Sequence, residues 1–89
     1  MKFTIWTEDK DEESTQLVTD LVQGAFKSFS VFKGEGHWNW VKEKSLQVVI
    51  FAPGSDSAMV YEIAREIKKR NEQEAVLVTL EQTEEEVLI

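Results

Sequence analysis

The 89-residue sequence contains no cysteine, one proline, four glycines and one histidine. The absence of cysteine excludes disulfides and thiolate metal sites, and it fits a reducing compartment. No run approaches the roughly 18 apolar residues that a membrane-spanning helix needs. The first residues also lack the basic and apolar pattern of a secretion signal. We therefore predict a cytoplasmic protein that has no membrane partner.

Basic residues are fewer than acidic ones and unevenly placed. The chain has 17 acidic and 10 basic side chains, which gives a formal charge of −7. Residues 1–20 carry a net charge of −4 and residues 74–89 carry −5, whereas residues 21–73 carry +2. Because phosphate contacts need clustered lysine and arginine, this distribution disfavours binding to a nucleic-acid polymer. A small anion near the mildly basic middle is still compatible with it.

The hydrophobic pattern predicts four strands and two helices. Alternation of apolar and polar residues predicts strands over residues 2–8, 29–40, 46–52 and 75–80. Apolar residues three and four positions apart predict helices over residues 11–27 and from about 55 to 70. The order β-α-β-β-α-β with right-handed crossovers gives the ferredoxin-like arrangement, a four-stranded antiparallel sheet with two helices on one face. We assign residues 1–80 to this single α+β domain and residues 81–89 to an acidic tail or an extra strand.

Local signals predict where the helices and the hairpin begin and end. Asp9 or Asp11 is expected to cap the first helix, and a residue of the Ser55–Ser57 segment the second. The polar run 42–44 is expected to form the hairpin turn between the second and third strands. Gly34 and Gly36 are expected to mark a bulge or a close backbone approach.

The predicted fold leaves one sheet face uncovered. If Phe3 and Ile5 face the helices, Trp6 lies on the open face with alternate residues of the second and third strands. These are Phe32 or Val31, and either the pair Val49 and Phe51 or the pair Val48 and Ile50. Such an apolar patch exceeds what a monomer usually exposes. We predict a homodimer whose interface contains Trp6, Phe32, Val49 and Phe51. The alternative cover is the segment 87–89, folded back as an extra strand.

Three short segments between residues 29 and 80 carry a resemblance. They read GEGHWNW at 34–40, EKS at 43–45 and QEAVLV at 73–78. In this order they resemble a family of small uncharacterised bacterial and phage proteins with G-x-G-x-W, E-x-S and Q-x-(A/S)-V-L segments. The resemblance implies a compact α+β domain and a phage or prophage setting, and therefore the host-cell cytoplasm. It implies no established reaction.

The hairpin combines two tryptophans with basic residues. Trp38 and Trp40 are expected to share a strand face near four further side chains, those of Lys33, His37, Lys42 and Lys44. Because indole rings stack on flat ligands and lysines hold phosphate, this group predicts a site for a small anionic or nucleotide-like ligand. The alternative is that the tryptophans pack in the core or in the dimer interface.

No catalytic or metal-binding motif accompanies these residues. His37 is the only histidine, and neither a cysteine nucleophile nor a second histidine is present. Glu43, Ser45 and Gln73 are expected to hydrogen-bond backbone groups of the hairpin and of the helix end. We therefore predict no cofactor, no metal and no enzymatic activity.

These expectations favour a small non-enzymatic binding protein of phage origin. It would act by sequestering a small ligand or by occluding a host protein, including in counter-defence. The alternatives are a structural or accessory phage protein without a ligand, and a small dimeric enzyme. The partners expected are a second copy of the chain and either a host protein or a small ligand.

Overall fold

The computed structural model describes all residues 1–89, which form one four-stranded sheet and two α-helices. The elements are β1 (Lys2–Glu8), α1 (Glu12–Gln23), β2 (Ser30–Trp38), β3 (Val41–Phe51), α2 (Ser57–Arg70) and β4 (Leu77–Glu81). All strand pairs are antiparallel, and the strand order is β2-β3-β1-β4. This arrangement confirms the predicted fold class and is consistent with a ferredoxin-like fold. Neither helix has the length and apolar character needed to cross a membrane.

Helix α1 begins at the predicted capping residue but ends earlier than predicted. The Asp11 carboxylate accepts the backbone N–H of Ser14 at 2.8 Å, and the Ser14 hydroxyl accepts the backbone N–H of Asp11 at 3.3 Å. This reciprocal pair is a capping box. The helix ends at Gln23 rather than at residue 27. Both Ala25 and Phe26 donate backbone hydrogen bonds to the carbonyl of Val22, which tightens the chain into a turn.

Helix α2 begins without a side-chain cap. A 3-10 turn over Gly54–Asp56 precedes it, and the Asp56 side chain makes no capping hydrogen bond. The Ser57 hydroxyl donates instead to the carbonyl oxygen of Gly54. Asp56 of the predicted Ser55–Ser57 segment occupies the N-cap position, but the predicted side-chain cap is absent, because the 3-10 turn already pairs the backbone around the helix start.

The β2–β3 hairpin differs most from the prediction. Its register runs without interruption from Ser30 opposite Val49 to Trp38 opposite Val41, so there is no bulge. The turn consists of Asn39 and Trp40, whose φ angles are 50° and 67°. Positive φ at both central residues is typical of the type I′ turn, whose twist matches that of the strands. The turn predicted at 42–44 is wrong, and those residues extend β3 instead.

The helices cover one sheet face and form the core with it. Phe3 and Ile5 of β1 are fully buried on this face, as predicted. The other core residues are Val18, Val22, Leu46, Val48, Ile50, Val60, Ile63 and Ile67. Every second residue of each strand therefore points away from the helices, onto an open face.

The open face carries the four residues predicted for an interface. Directly paired residues of antiparallel strands lie on the same side of a sheet, and one such row across the sheet is Leu77, Trp6, Gln47 and Phe32. Val49 and Phe51 lie on the same side, two and four residues further along β3. The alternative set, Val31, Val48 and Ile50, lies on the helix side. Whether a partner covers the open face remains a prediction.

Candidate functional site

A cleft of about 430 Å³ lies at the hairpin end of the open face. Its volume falls within the range of small-molecule sites, about 300–1,000 Å³. Residues 35–38 of β2, Glu43 and Ser45 of β3, and residues 73–77 before and within β4 line it. Residues 6–8 of β1 and Gln47 of β3 complete the lining. The three segments that carry the family resemblance therefore meet in one cleft, although the third lies 28 residues beyond the second in the chain.

Gly36 forms a floor without a side chain in this cleft. Gly36 lies opposite Glu43 and Gly34 lies opposite Ser45 in the β2–β3 ladder. A methyl group at position 36 would come within 3.4 Å of the Cβ of Ser45 and 3.9 Å of the Cγ of Glu43. Glycine in a strand often marks a place where another group approaches the backbone closely. Here it leaves the Glu43 and Ser45 side chains open to a ligand.

Glu43 and Ser45 are half-buried and unpaired. The side-chain hydrogen bonds around the cleft involve Trp6, Thr7, Glu35 and Gln73, and none involves Glu43 or Ser45. The expectation that these two residues bond to nearby backbone groups is wrong. Because side chains alternate between the two faces of a sheet, Glu43 and Ser45 both point out of the open face beside Gly36. They therefore point away from the backbone groups that pair β2 with β3.

The cleft is acidic, and most of its charge is not neutralised. Four carboxylates line it, those of Glu8, Glu35, Glu43 and Glu74. Only Glu35 takes part in an ion pair, with Lys42 Nζ at 3.1 Å, and it also forms a hydrogen bond with His37 Nε2 at 2.9 Å. Glu8 lies opposite Ser45 in the β1–β3 pairing. It is therefore a diagonal neighbour of Glu43, at a Cα separation of about 7–8 Å.

Hydrogen bonding lowers the pKa of Glu35 below the ordinary glutamate value. The largest cause is the hydrogen bond with His37, followed by the one with Lys42. Because the Glu35 side chain is more than half exposed, this group stays ionised without a large effect on stability. It keeps its negative charge at the rim of the cleft.

Two indole rings border the acidic floor. The Nε1–H of Trp6 donates to the Oγ1 of Thr79 at 3.3 Å, which fixes the ring on the open face. Trp38 lies on the same side of the sheet, two residues beyond Gly36, and about half of it is exposed. Faces of indole rings attract cations and stack on flat ring systems. Together with unpaired carboxylates, they suit a ligand that is both cationic and aromatic.

Gln73 fixes the segment 73–77, which lines one side of the cleft. Its Oε1 accepts hydrogen bonds from Thr7 Oγ1 and, at 3.2 Å, from Asn71 Nδ2. Its Nε2 donates to the carbonyl oxygen of Ala75 at 3.2 Å. The side chain therefore ties the end of α2 to the segment before β4, as expected, and it also fixes that segment to β1.

The structure separates the six residues predicted to bind a ligand. Trp38 and His37 line the cleft, whereas the fully exposed Trp40 lies in the turn and does not share a strand face with Trp38. The three lysines, Lys33, Lys42 and Lys44, lie on the other side of the hairpin, where His37 is paired with Lys42 and Glu35 with Lys44. Lys33 Nζ lies 4.0 Å from Asp9 Oδ2, and Lys42 pairs with Glu35. Whether these residues bind an anion remains a prediction.

The residues that sequence reasoning missed are Glu8, Glu43 and Ser45. The sequence does contain a signal for the position of the hairpin turn, because asparagine at position 39 favours the positive φ of a two-residue turn. A turn at 39 and 40 places Gly36 opposite Glu43 by counting alone. No group of three His, Cys, Asp or Glu side chains is arranged to hold a metal ion.

Comparison with known proteins finds similarity in structure only. No protein-family model and no curated protein matches the chain. A phage SAM lyase in its apo state is similar with a TM-score of 0.69 and 21% identity, over 86% of this chain and 75% of that one. A DUF3240 family protein from Shewanella baltica OS155 is similar with a TM-score of 0.79 and 10% identity, over 99% of this chain and 94% of that one. The de novo designed protein Foldit4 is similar with a TM-score of 0.54 and 20% identity, over 91% of this chain and 94% of that one.

These similarities establish the fold and correct one expectation. The prediction of a non-enzymatic protein depended on the absence of familiar catalytic motifs. The similarity to a phage SAM lyase contradicts it, because a chain of this fold catalyses a reaction. One fold hosts many functions, so the function has to be inferred from the residues of the cleft.

Proposed function

We propose that this chain is an enzyme that binds S-adenosylmethionine in the acidic cleft and cleaves one of its carbon–sulfur bonds. The observation that carries the proposal is the unpaired Glu43 carboxylate on the glycine floor, near Trp6 and Trp38. The similarity to a SAM lyase supplies the substrate. We also propose membership of the bacterial and phage family that the sequence resembles, because its three characteristic segments form the cleft.

The cleft matches the chemical groups of this substrate. S-adenosylmethionine carries a positively charged sulfonium group, an ammonium group and a flat adenine ring. Carboxylates and indole faces both attract a cation, and indole rings stack on adenine. Glu43 and Glu8 offer two separate carboxylates for the two positive groups. The net charge of −7 also attracts a cationic substrate at long range.

The reaction of a sulfonium lyase needs little from the protein beyond binding and orientation. The carbon–sulfur bond breaks with both electrons leaving on sulfur, which becomes a neutral thioether. When the substrate's own carboxylate oxygen attacks the same carbon, the new carbon–oxygen bond closes a lactone, and no proton has to move. Because positive charge disappears during this step, a carboxylate such as Glu43 contributes mainly to substrate binding.

The test compares two glutamate variants with the same change in net charge. The full chain is incubated with S-adenosylmethionine, and the released thioether nucleoside is quantified by chromatography and mass spectrometry. Glu43→Gln removes a cleft carboxylate, whereas Glu84→Gln removes an exposed carboxylate outside the cleft. We expect Glu43→Gln to raise KM about 3- to 10-fold, equivalent to about 0.7–1.4 kcal/mol. Glu84→Gln should match the wild type.

Two results would overturn the proposal. The first is the absence of both thioether release and thermal stabilisation by S-adenosylmethionine, since a ligand at 100 times its Kd adds about 2.7 kcal/mol to stability. The second is equal behaviour of the Glu43 and Glu84 variants. In a phage setting, consumption of S-adenosylmethionine would deprive host methyltransferases of their methyl donor, and this gives the predicted counter-defence role a chemical basis.

A further inference from the structure

We infer that the apolar half of the open face packs against another copy of this chain. By the apolar half we mean the part of the open face formed by Trp6, Phe32, Val49, Phe51 and Leu77. This inference does not depend on the proposed activity. It follows from the exposure of these residues, the total surface of the chain and the charge of the face.

The apolar half exposes large side chains that the core leaves out. Phe32, Phe51 and Leu77 are 55%, 58% and 55% exposed, and Trp6 is 37% exposed. They come from all four strands and lie on one side of the sheet. Isolated exposed apolar residues are ordinary, but a contiguous group of this size on a small domain marks an interaction surface.

The total surface supports the same conclusion. The chain exposes 6490 Å², whereas a monomeric protein of 10.3 kDa is expected to expose about 5,350 Å². The difference of about 1,100 Å² is spread over the whole chain, including the fully exposed Leu88 and Ile89, and it leaves room for the roughly 800 Å² that each partner buries in a stable interface. Packing of a second copy removes an area of this size at about 25 cal/mol per Å² of apolar surface.

Charge favours a copy of the same chain as the partner. The apolar half itself has no charged side chain, and at its edge Lys2 lies opposite Glu81, so this part of the face is formally neutral. The unpaired glutamates lie at the other end, in the cleft. Two copies that pack with their strands in opposite directions keep their acidic ends apart. A two-fold axis across this face also lets Lys2 of each copy approach Glu81 of the other.

The chain does not cover the apolar half with its own last residues. Val87, Leu88 and Ile89 are exposed and form no strand. Trp6 and Leu77 belong both to the apolar half and to the lining of the cleft. A copy that packs on this half therefore also closes the cleft on its apolar side.

The test is the mass of the full chain in solution, measured by light scattering over a range of micromolar concentrations. We expect a multiple of 10.3 kDa for the wild type. Phe32→Ser and Phe51→Ser should lower the mass to that of one chain, and neither residue lines the cleft. Met59→Ser is the matched control, because Met59 is 49% exposed on α2. Circular dichroism verifies that each variant is folded.

Three outcomes would overturn the inference: a wild-type mass of one chain at every concentration, equal loss of assembly in Met59→Ser, and loss of assembly in Leu88→Ser. The last would assign the contact to residues 87–89. The mass of the wild-type chain tests the inference even if the variants fail to fold. An assembled chain that does not bind S-adenosylmethionine overturns only the proposed function, and a single chain that cleaves it overturns only this inference.

Discussion

Gly36 lies directly opposite Glu43 in the β2–β3 ladder, and the nearest side chains that a Cβ at position 36 would meet are those of Ser45, at 3.4 Å, and Glu43, at 3.9 Å. This pairing joins the G-x-G segment to the E-x-S segment. It leaves the Glu43 carboxylate accessible from the open face of the sheet. The geometry of the cleft depends on this pairing more than on any single residue.

Gly36→Ala should leave the protein folded and still impair ligand binding. The added methyl group meets its nearest neighbour at 3.4 Å, an ordinary contact. Because glycine is unfavourable in a strand, we expect the free energy of unfolding to rise by about 0.5 kcal/mol. Affinity for S-adenosylmethionine should fall, because the methyl group fills the cleft floor. Urea denaturation and calorimetric titration measure the two effects.

Gly34→Ala is the control for this change. Its added methyl group lies 3.8 Å from the Oγ of Ser45, and residue 34 does not line the cleft. It should give a similar gain in stability with unchanged affinity. Equal affinity of both alanine variants would show that the floor at residue 36 does not contact the ligand.

Trp40→Gly should stabilise the hairpin. Trp40 is fully exposed and has a φ of 67°, a region that costs a bulky residue about 1–2 kcal/mol. Glycine after Asn39 gives the preferred sequence of a type I′ turn. We expect a gain of about 1 kcal/mol in the free energy of unfolding by urea denaturation.

Trp40→Ala separates the two contributions to this effect. Alanine removes the indole ring but keeps most of the cost of positive φ, so its stability should stay close to that of the wild type. If Ala and Gly at position 40 stabilise the chain equally, the indole ring rather than the backbone conformation is unfavourable in the wild type.

Asp11→Ala and Asp56→Ala should differ, although both residues precede helices. The Asp11 carboxylate accepts a hydrogen bond from Ser14 N at 2.8 Å, and its loss should cost about 1 kcal/mol. Asp56 makes no side-chain capping bond, so its replacement should change stability by less than about 0.5 kcal/mol. Thermal and urea denaturation compare the pair. Equal losses would contradict the difference between the two helix starts.

His37→Ala should raise the pKa of Glu35. The hydrogen bond from His37 is the largest cause of the lowered pKa, and the one from Lys42 is the second. A carboxyl group whose pKa is lower in the folded state stabilises the fold above its unfolded pKa, and this contribution disappears as pH falls through the folded pKa. NMR titration of the Glu35 carboxyl carbon measures the change. Lys42→Ala should raise the pKa less, and a larger effect of Lys42 would reverse the order of causes.

Most of the fold was predictable because its signals are local. The alternation of Phe3, Ile5 and Trp6 assigned the two faces of β1 correctly, and the spacing of apolar residues located both helices. The failures lie at element ends. Because polar residues are common in turns, the polar run 42–44 predicts a turn, whereas the actual turn at Asn39 and Trp40 contains a tryptophan in an unfavourable conformation.

Less of the candidate site was predictable. Trp38 and His37 were identified and line the cleft, but Glu43 and Ser45 were assigned to backbone hydrogen bonds that do not form. Their role depends on which β2 residues lie opposite them. A one-residue change in register would place Glu35 or His37 there instead of glycine.

The sequence by itself determined the strands, the helices, the buried face of β1 and the uneven charge, because each depends on residues close together in the chain. Only the tertiary structure decided the register that sets Gly36 against Glu43, and the position of Gln73 beside Thr7. These contacts join residues distant in sequence, and their geometry depends on strand pairing and on the twist of the turn. The cleft is therefore a property of the folded sheet, although all of its residues are visible in the sequence.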